Sequence, residues 1–288
     1  MMGKIGIIGG SGVYSIETLK NKKMEKISTP FGEPSDEFML GELEGKQVVF
    51  LPRHSRSHSV LPSDLNYRAN IYGMKKLGVD RIVSISAVGS LRENLKPLDM
   101  VVPDQFVDRT NQARRSTFFG DGIVAHVSFS DPVCHHLCEV VYTAGKKCGA
   151  TMHKGGTYIN MEGPAFSTRA ESQLYRTWGM DIIGMTNMPE AKLAREAEIC
   201  FATLAMVTDY DCWYDKCKEE VSMDLVINNM KKNTEMARNI IKMVISDMPE
   251  RRDCECGSSL EHAFVTPKEL IPADTRRKLD VIIGKYLK

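Results

Sequence analysis

Residues 4–15 read KIGIIGGSGVYS, an isoleucine-rich run that breaks into three glycines around one serine. The run predicts a buried first strand, and the glycines after it allow backbone torsions that a β-carbon forbids. Such a turn at the mouth of a strand exposes successive N–H groups, a concavity suited to an anion, and Ser11 adds a hydroxyl donor. A tight turn with no ligand explains the same residues as well. A dinucleotide fingerprint does not fit, because Ser15 stands where the third glycine is required and no acidic residue follows at the ribose-binding distance. A Walker loop is excluded as well, since no Gly-Lys-Ser or Gly-Lys-Thr follows.

Around this turn, apolar runs recur at 47–51, 81–85, 100–102, 181–184 and 200–207, with helical periodicity at 65–77, 132–147, 169–178, 189–198 and 222–246. That alternation predicts an α/β fold with a central sheet flanked by helices. Ser63-Asp64, Ser167-Thr168 with Glu171, and Ser222 are the expected helix starts, the second of them a capping box. No repeat or low-complexity linker divides the 288 residues, so one domain is expected over 1–288, with a surface loop and a charged helix appended at 249–288. A net charge of +1 gives no reason to expect nucleic acid, and no run approaches a membrane span, so the expected setting is cytoplasmic.

Ligands of open α/β sheets bind beyond the carboxyl ends of strands. The residues there are Ser11, then Arg53-His54-Ser55-Arg56-Ser57-His58, then Ser86-Ala87-Val88-Gly89-Ser90, then Met185-Thr186-Asn187-Met188-Pro189-Glu190, then Thr208-Asp209-Tyr210-Asp211. Singly, each has a plain explanation as a solvated loop or a strand terminus. Asp209 and Asp211, two apart on an extended chain, should nevertheless point to one side, toward one ligand.

The eight cysteines include no C-x-x-C. Cys254-Glu255-Cys256 reads as free thiols, as half of a metal site or as part of a disulfide element. Metal has the least support, because nearby His262 is a lone imidazole without matched ligands, and no metal site is expected.

Together, GGSG (9–12), TPFGEPSD (29–36), RHSRSH (53–58), PSDLNYRANI (62–71), SAVGSLRE (86–93), DQFVDRT (104–110), EGPAFSTRAES (162–172), MTNMPEAKLARE (185–196) and TDYDCW (208–213) resemble the methylthioadenosine phosphorylases of the purine nucleoside phosphorylase superfamily. The likeness runs from the first strand to about residue 247. It implies a central mixed, twisted sheet and a phosphate-dependent cleavage of methylthioadenosine to adenine and methylthioribose 1-phosphate. Inorganic phosphate is then a co-substrate, and no organic or metal cofactor is implied. By the same resemblance, Ser11, Arg53, His54, Ser86, Ala87 and Thr186 hold phosphate, while Asp209 and Asp211 act on the purine. Phe166 stacks on the base, Met185 lines the ribose, and His126 of a neighbouring subunit reaches the alkylthio end beside Val221 and Met223. Relatives form trimers or hexamers, and some carry disulfides involving a C-terminal C-x-C, which points to Cys254 and Cys256 here, with Cys138 and Cys200 as further candidates. An aspartate pair suits the 6-amino group of adenine, whereas the 6-oxopurine phosphorylases carry asparagine in this region. A 6-oxopurine nucleoside phosphorylase is the alternative activity.

Overall fold

The computed structural model describes residues 3–287 except 11, 15, 58, 113 and 215–222, with the backbone alone described for 223–226. In chain order its elements are β1 (Lys4–Gly9), β2 (Lys20–Glu25), β3 (Phe38–Leu43), β4 (Lys46–Pro52), α1 (Tyr67–Lys76), β5 (Val79–Ser90), β6 (Met100–Val102) and β7 (Gln105–Arg109). The second half adds α2 (His135–Lys147), β8 (Met152–Lys154), β9 (Thr157–Met161), α3 (Arg169–Thr177), β10 (Ile182–Gly184), α4 (Asn187–Glu196), β11 (Cys200–Tyr210), α5 (Met223–Asp247) and α6 (Ala273–Ile283). The strands join one mixed sheet in the order β2-β3-β4-β1-β5-β10-β9-β7, with β11 on β5 and β6, and β8 on β6. The chain is thus a single α/β domain with a mixed central sheet, as expected.

β5 is the axis of the sheet. It runs parallel to β1 and β11, and its last residues pair antiparallel with β10 through Gly89 and Ser90. Nearly every residue of β5 and β11 is buried, which is why both read as continuous apolar runs rather than alternating ones. β2, with sequence KNKKME and almost wholly exposed, offered no such signal and pairs with β3. The short strands β7, β8 and β9 lie outside the expected runs as well.

Two strands run further than expected. β5 continues to Ser90 and β11 to Tyr210, so Ser86, Ala87 and Asp209 lie within strands rather than after them. Thr208 is an extra residue in β11: Val207 faces Val88 and Asp209 faces Gly89. This bulge breaks the regular alternation just before the two aspartates. Asn229 and Asn233 of α5 brace it, donating to the Thr208 carbonyl at 2.7 Å and the Val207 carbonyl at 2.9 Å.

The start of α1 is a correction. Its N-cap is Asn66, whose side chain accepts from the Ala69 N–H, while Ser63 instead donates to Glu162. The segment 249–260 is mostly exposed, as a surface loop should be, and is anchored at three places. Leu260 is fully buried, and Cys254 and Cys256 pack against the core. Ser222 lies outside the described residues. The capping box on α3 is present as expected, with Thr168 accepting from the Glu171 N–H and Glu171 accepting from the Thr168 N–H. Replacing Thr168 with alanine should therefore destabilise the protein by about 1 kcal/mol in urea titrations, with Thr168→Ser close to the parent.

Candidate active site

Arg53, just after β4, is 3% exposed and faces Glu190 in the first turn of α4, which is 1% exposed. The carboxylate accepts Nε at 2.5 Å and Nη2 at 3.1 Å. Nη2 also donates to Ser84 Oγ at 2.6 Å, and Nη1 to the Ile85 carbonyl at 3.0 Å. Four of the five guanidinium N–H donors are thus engaged by the protein, and the remaining one is on Nη1. Burial opposes the arginine's charge, but the Glu190 carboxylate more than offsets this and holds the guanidinium pKa above its ordinary value.

Beside this pair lies a cluster of hydroxyls. Ser86 Oγ is 3.2 Å from the hydroxyl of Tyr158, a fully buried side chain of β9 that also meets the backbone of Thr186. Burial pushes the Tyr158 pKa up to about 12, so it remains a neutral donor and acceptor across the physiological range. Gly184 makes room for it, since a β-carbon there would stand 1.9 Å from the Tyr158 hydroxyl. Thr186 caps α4 without a side-chain hydrogen bond to the helix, so its buried hydroxyl sits at a positive helix end. Asn160 fixes the turn between β10 and α4, accepting from Met188 N–H at 3.1 Å and donating to the Met185 carbonyl at 3.3 Å.

Across β5, Asp209 and Asp211 converge on Gly89. A β-carbon at Gly89 would lie 3.1 Å from Ile183 Cγ2, 3.5 Å from Asp209 Oδ2 and 3.6 Å from Asp211 Cβ, so both aspartates border the backbone of β5 at this glycine. Thr208 Oγ1 donates to Asp209 Oδ1 and also approaches the Val88 carbonyl. Burial, opposed by the Thr208 hydrogen bond and assisted by the Asp211 charge, pushes the Asp209 pKa up to about 6. Asp211 is raised too, again chiefly by burial, with the Ser172 hydroxyl acting in the opposite sense.

A second buried ion pair lies beside Met185. Arg114 Nε donates to Glu162 at 2.8 Å, its Nη2 to the Glu162 carbonyl at 2.7 Å and its Nη1 to the Met185 carbonyl, next to Thr186. Cys212 Sγ donates to the Ser167 carbonyl, tying the segment that carries Phe166 to the end of β11. The Phe166 ring is about half exposed. His54 is anchored through Nδ1 to the Val60 carbonyl at 2.9 Å.

The sequence-derived residues thus fall into one neighbourhood for Arg53, Ser86, Ala87, Met185, Thr186, Asp209 and Asp211. His126 is exposed and its backbone joins Ala263, with no hydrogen bond to the site. Ser11 and Val221 lie outside the described residues, as does the side chain of Met223. Gly12, next to Ser11, has φ +103° and is held through its carbonyl by Arg238 of α5. Tyr158 and Arg114 escaped the sequence reading, and Gly89 and Glu190, though they stand in strand-end stretches, were given no role there. Glu190 alone left a signal, a carboxylate in the first turn of a helix that begins at a strand end.

The seven described cysteines are free thiols, so the expected disulfides at Cys254, Cys256, Cys138 and Cys200 are not formed in this structure. Four of them, Cys134, Cys200, Cys254 and Cys256, gather at the opposite end of β11 from the aspartates. Among the described residues, no helix is long and apolar enough to cross a membrane.

Polar donors on one side of β5 and paired acids on the other form one buried polar site. The Phosphorylase superfamily matches residues 4–246, and the chain belongs to it. It is 56% identical to the S-methyl-5'-thioadenosine phosphorylase of Geobacter sulfurreducens over 98% of this chain and 99% of the relative, and 55% identical to that of Koribacter versatilis over 99% and 97%. Among solved structures, a methylthioadenosine phosphorylase from an antarctic soil metagenomic library superposes with a TM-score of 0.92 at 51% identity, covering 98% of this chain and 99% of that one. The Schistosoma mansoni methylthioadenosine phosphorylase in complex with adenine gives a TM-score of 0.79 at 35% identity, covering 84% and 90%.

Two outcomes follow from the buried charges. Glu190→Gln leaves the Arg53 guanidinium unpaired in the interior and should cost about 3–5 kcal/mol in chemical denaturation. The native pKa of Asp209, about 6, lies above the ordinary aspartate value, so the folded state binds more protons between the two. Stability from this group therefore falls as pH rises from about 4 to about 6 and is level above, a loss on the order of 3 kcal/mol. Asp209→Asn removes that loss, so the stability difference between variant and parent should shift in the variant's favour from pH 4 to pH 7.

Proposed function

We propose that the chain cleaves S-methyl-5'-thioadenosine with inorganic phosphate, releasing adenine and 5-methylthioribose 1-phosphate, and that it also accepts adenosine. The observation that carries this reading is the buried acid pair at Gly89, set across β5 from the Arg53, Ser86 and Thr186 donors. The relatives' names agree with it. A role in purine and methionine salvage follows from those products.

In this reading, phosphate sits against the remaining Arg53 donor, the hydroxyls of Ser86 and Thr186, the Ala87 backbone, His54 and the Ser11 turn. A phosphate oxygen bonds to the anomeric carbon as the bond from that carbon to purine N9 breaks, and the phosphate charge stabilises the oxocarbenium-like transition state. Protonated Asp209 delivers its proton to N7, so adenine leaves neutral. Asp211 accepts from the 6-amino group, Phe166 stacks on the base, and Met185 lines the ribose. A pKa near 6 suits Asp209 to proton transfer at neutral pH. His126 completes the alkylthio end from a neighbouring subunit, alongside Val221 and Met223, which makes the working form a homotrimer or a dimer of trimers in the cytoplasm. No organic cofactor enters the reaction. A 6-oxopurine presents an acceptor to these carboxylates, and a mismatch of that kind is rejected by about 10⁴-fold or more.

Incubation with methylthioadenosine, adenosine and inosine, with and without phosphate, tests the reading by the base released. Adenine should appear from the first two only when phosphate is present, with inosine far slower. Asp209→Asn should lower kcat by about 10²–10⁴-fold, and an unchanged rate would remove Asp209 from its role.

A further inference from the structure

We propose that Cys134, Cys200, Cys254 and Cys256 form a tetrathiolate site for one zinc ion, which staples the segment after α5 to the base of the sheet. Their four Sγ atoms all lie within 4.8 Å of one another. Four sulfurs about 2.3 Å from a tetrahedral zinc stand about 3.8 Å apart, so little movement closes the site. The Sγ atoms of Cys200 and Cys254 are 3.4 Å apart, near that edge length and well beyond the roughly 2 Å of a disulfide.

The donors come from three parts of the fold. Cys134 precedes α2, and its N–H donates to the Phe201 carbonyl at 2.8 Å, which ties it to the strand that Cys200 begins. Cys254 and Cys256 flank Glu255 at a 3-10 turn spanning Glu255–Ser258. Cys134 and Cys200 are buried, and the other two are half-buried. The sequence reading of Cys254 and Cys256 sought partners nearby, whereas the cysteines that gather with them lie 54 or more residues earlier.

Charge and chemistry favour zinc. Four thiols bind Zn²⁺ by releasing four protons to solvent, leaving a centre of net charge −2 and requiring no oxidant. Arg252 lies within hydrogen-bonding reach of Cys200, and Arg81 and Arg251 line the same cavity. Four protein sulfurs complete the tetrahedron and leave no position for a substrate, which marks a structural ion. Cys200 precedes Asp209 by nine residues of β11, about 30 Å of extended chain, so the ion takes no part in the reaction.

The test uses the full chain, purified under reducing conditions, stripped with a chelator and reloaded with zinc or cobalt(II). Elemental analysis should find one zinc per chain, and cobalt should give thiolate charge-transfer absorption with the intense d–d bands of a tetrahedral tetrathiolate. Cys254→Ser and Cys256→Ser should lose both signals, and Cys148→Ser should keep them. Zinc removal should lower the thermal midpoint while leaving the low-temperature turnover unchanged. If a serine variant fails to fold, the cobalt spectrum of the parent decides alone. Reduced protein that takes up neither metal, iron with acid-labile sulfide in their place, or non-reduced peptides that join these four cysteines as disulfides would each overturn the proposal.

Discussion

The buried pair of Arg53 and Glu190 is the constraint on which the site depends. Two opposite charges, each almost wholly removed from water, persist because all but one of the guanidinium donors are engaged: the carboxylate takes two guanidinium donors and the Ser84 hydroxyl, and the guanidinium also reaches Ser84 and the Ile85 carbonyl. Those contacts join the end of β4, the middle of β5 and the first turn of α4. Replacement of such a pair by apolar groups is often neutral for stability, so its value here is positional. It fixes an arginine, a strand and a helix terminus in one corner, with Ser86 and Thr186 at its edges.

The opposite wall is built by a different device. The bulge at Thr208 resets the alternation just before two aspartates that both border Gly89, and α5 holds the bulge through Asn229 and Asn233. Burial then does the electrostatic tuning. Asp209 is raised by loss of water first and by Asp211 second, so the bulge sets proton availability as well as geometry.

Much of the fold was legible because β1, β5 and β11 are buried on both faces and read as apolar runs, and because the Thr168 and Glu171 cap carries its own chemistry. Exposed β2 lacks that pattern and depends on tertiary pairing. Strand ends were harder, since a hydroxyl or carboxylate after an apolar run reads as a terminus, while β5 and β11 carry Ser86 and Asp209 inside the ladder. Polar residues at strand ends were singled out by their chemistry, but Glu190 and Tyr158 act through other side chains, and Tyr158 stands in a strand that the sequence pattern did not signal. The cysteine cluster was illegible for the same reason that distant ligands usually are: only folding brings 134, 200, 254 and 256 together.

Phosphate as the nucleophile is the claim on which the rest stands. Cleavage of methylthioadenosine in phosphate labelled with ¹⁸O on all its oxygens, in unlabelled water, follows that atom directly. Mass spectrometry of the product should show a sugar 1-phosphate that keeps the full label, including the oxygen bridging to the anomeric carbon. Free methylthioribose carrying an unlabelled anomeric oxygen would mean that water attacks, and would contradict it.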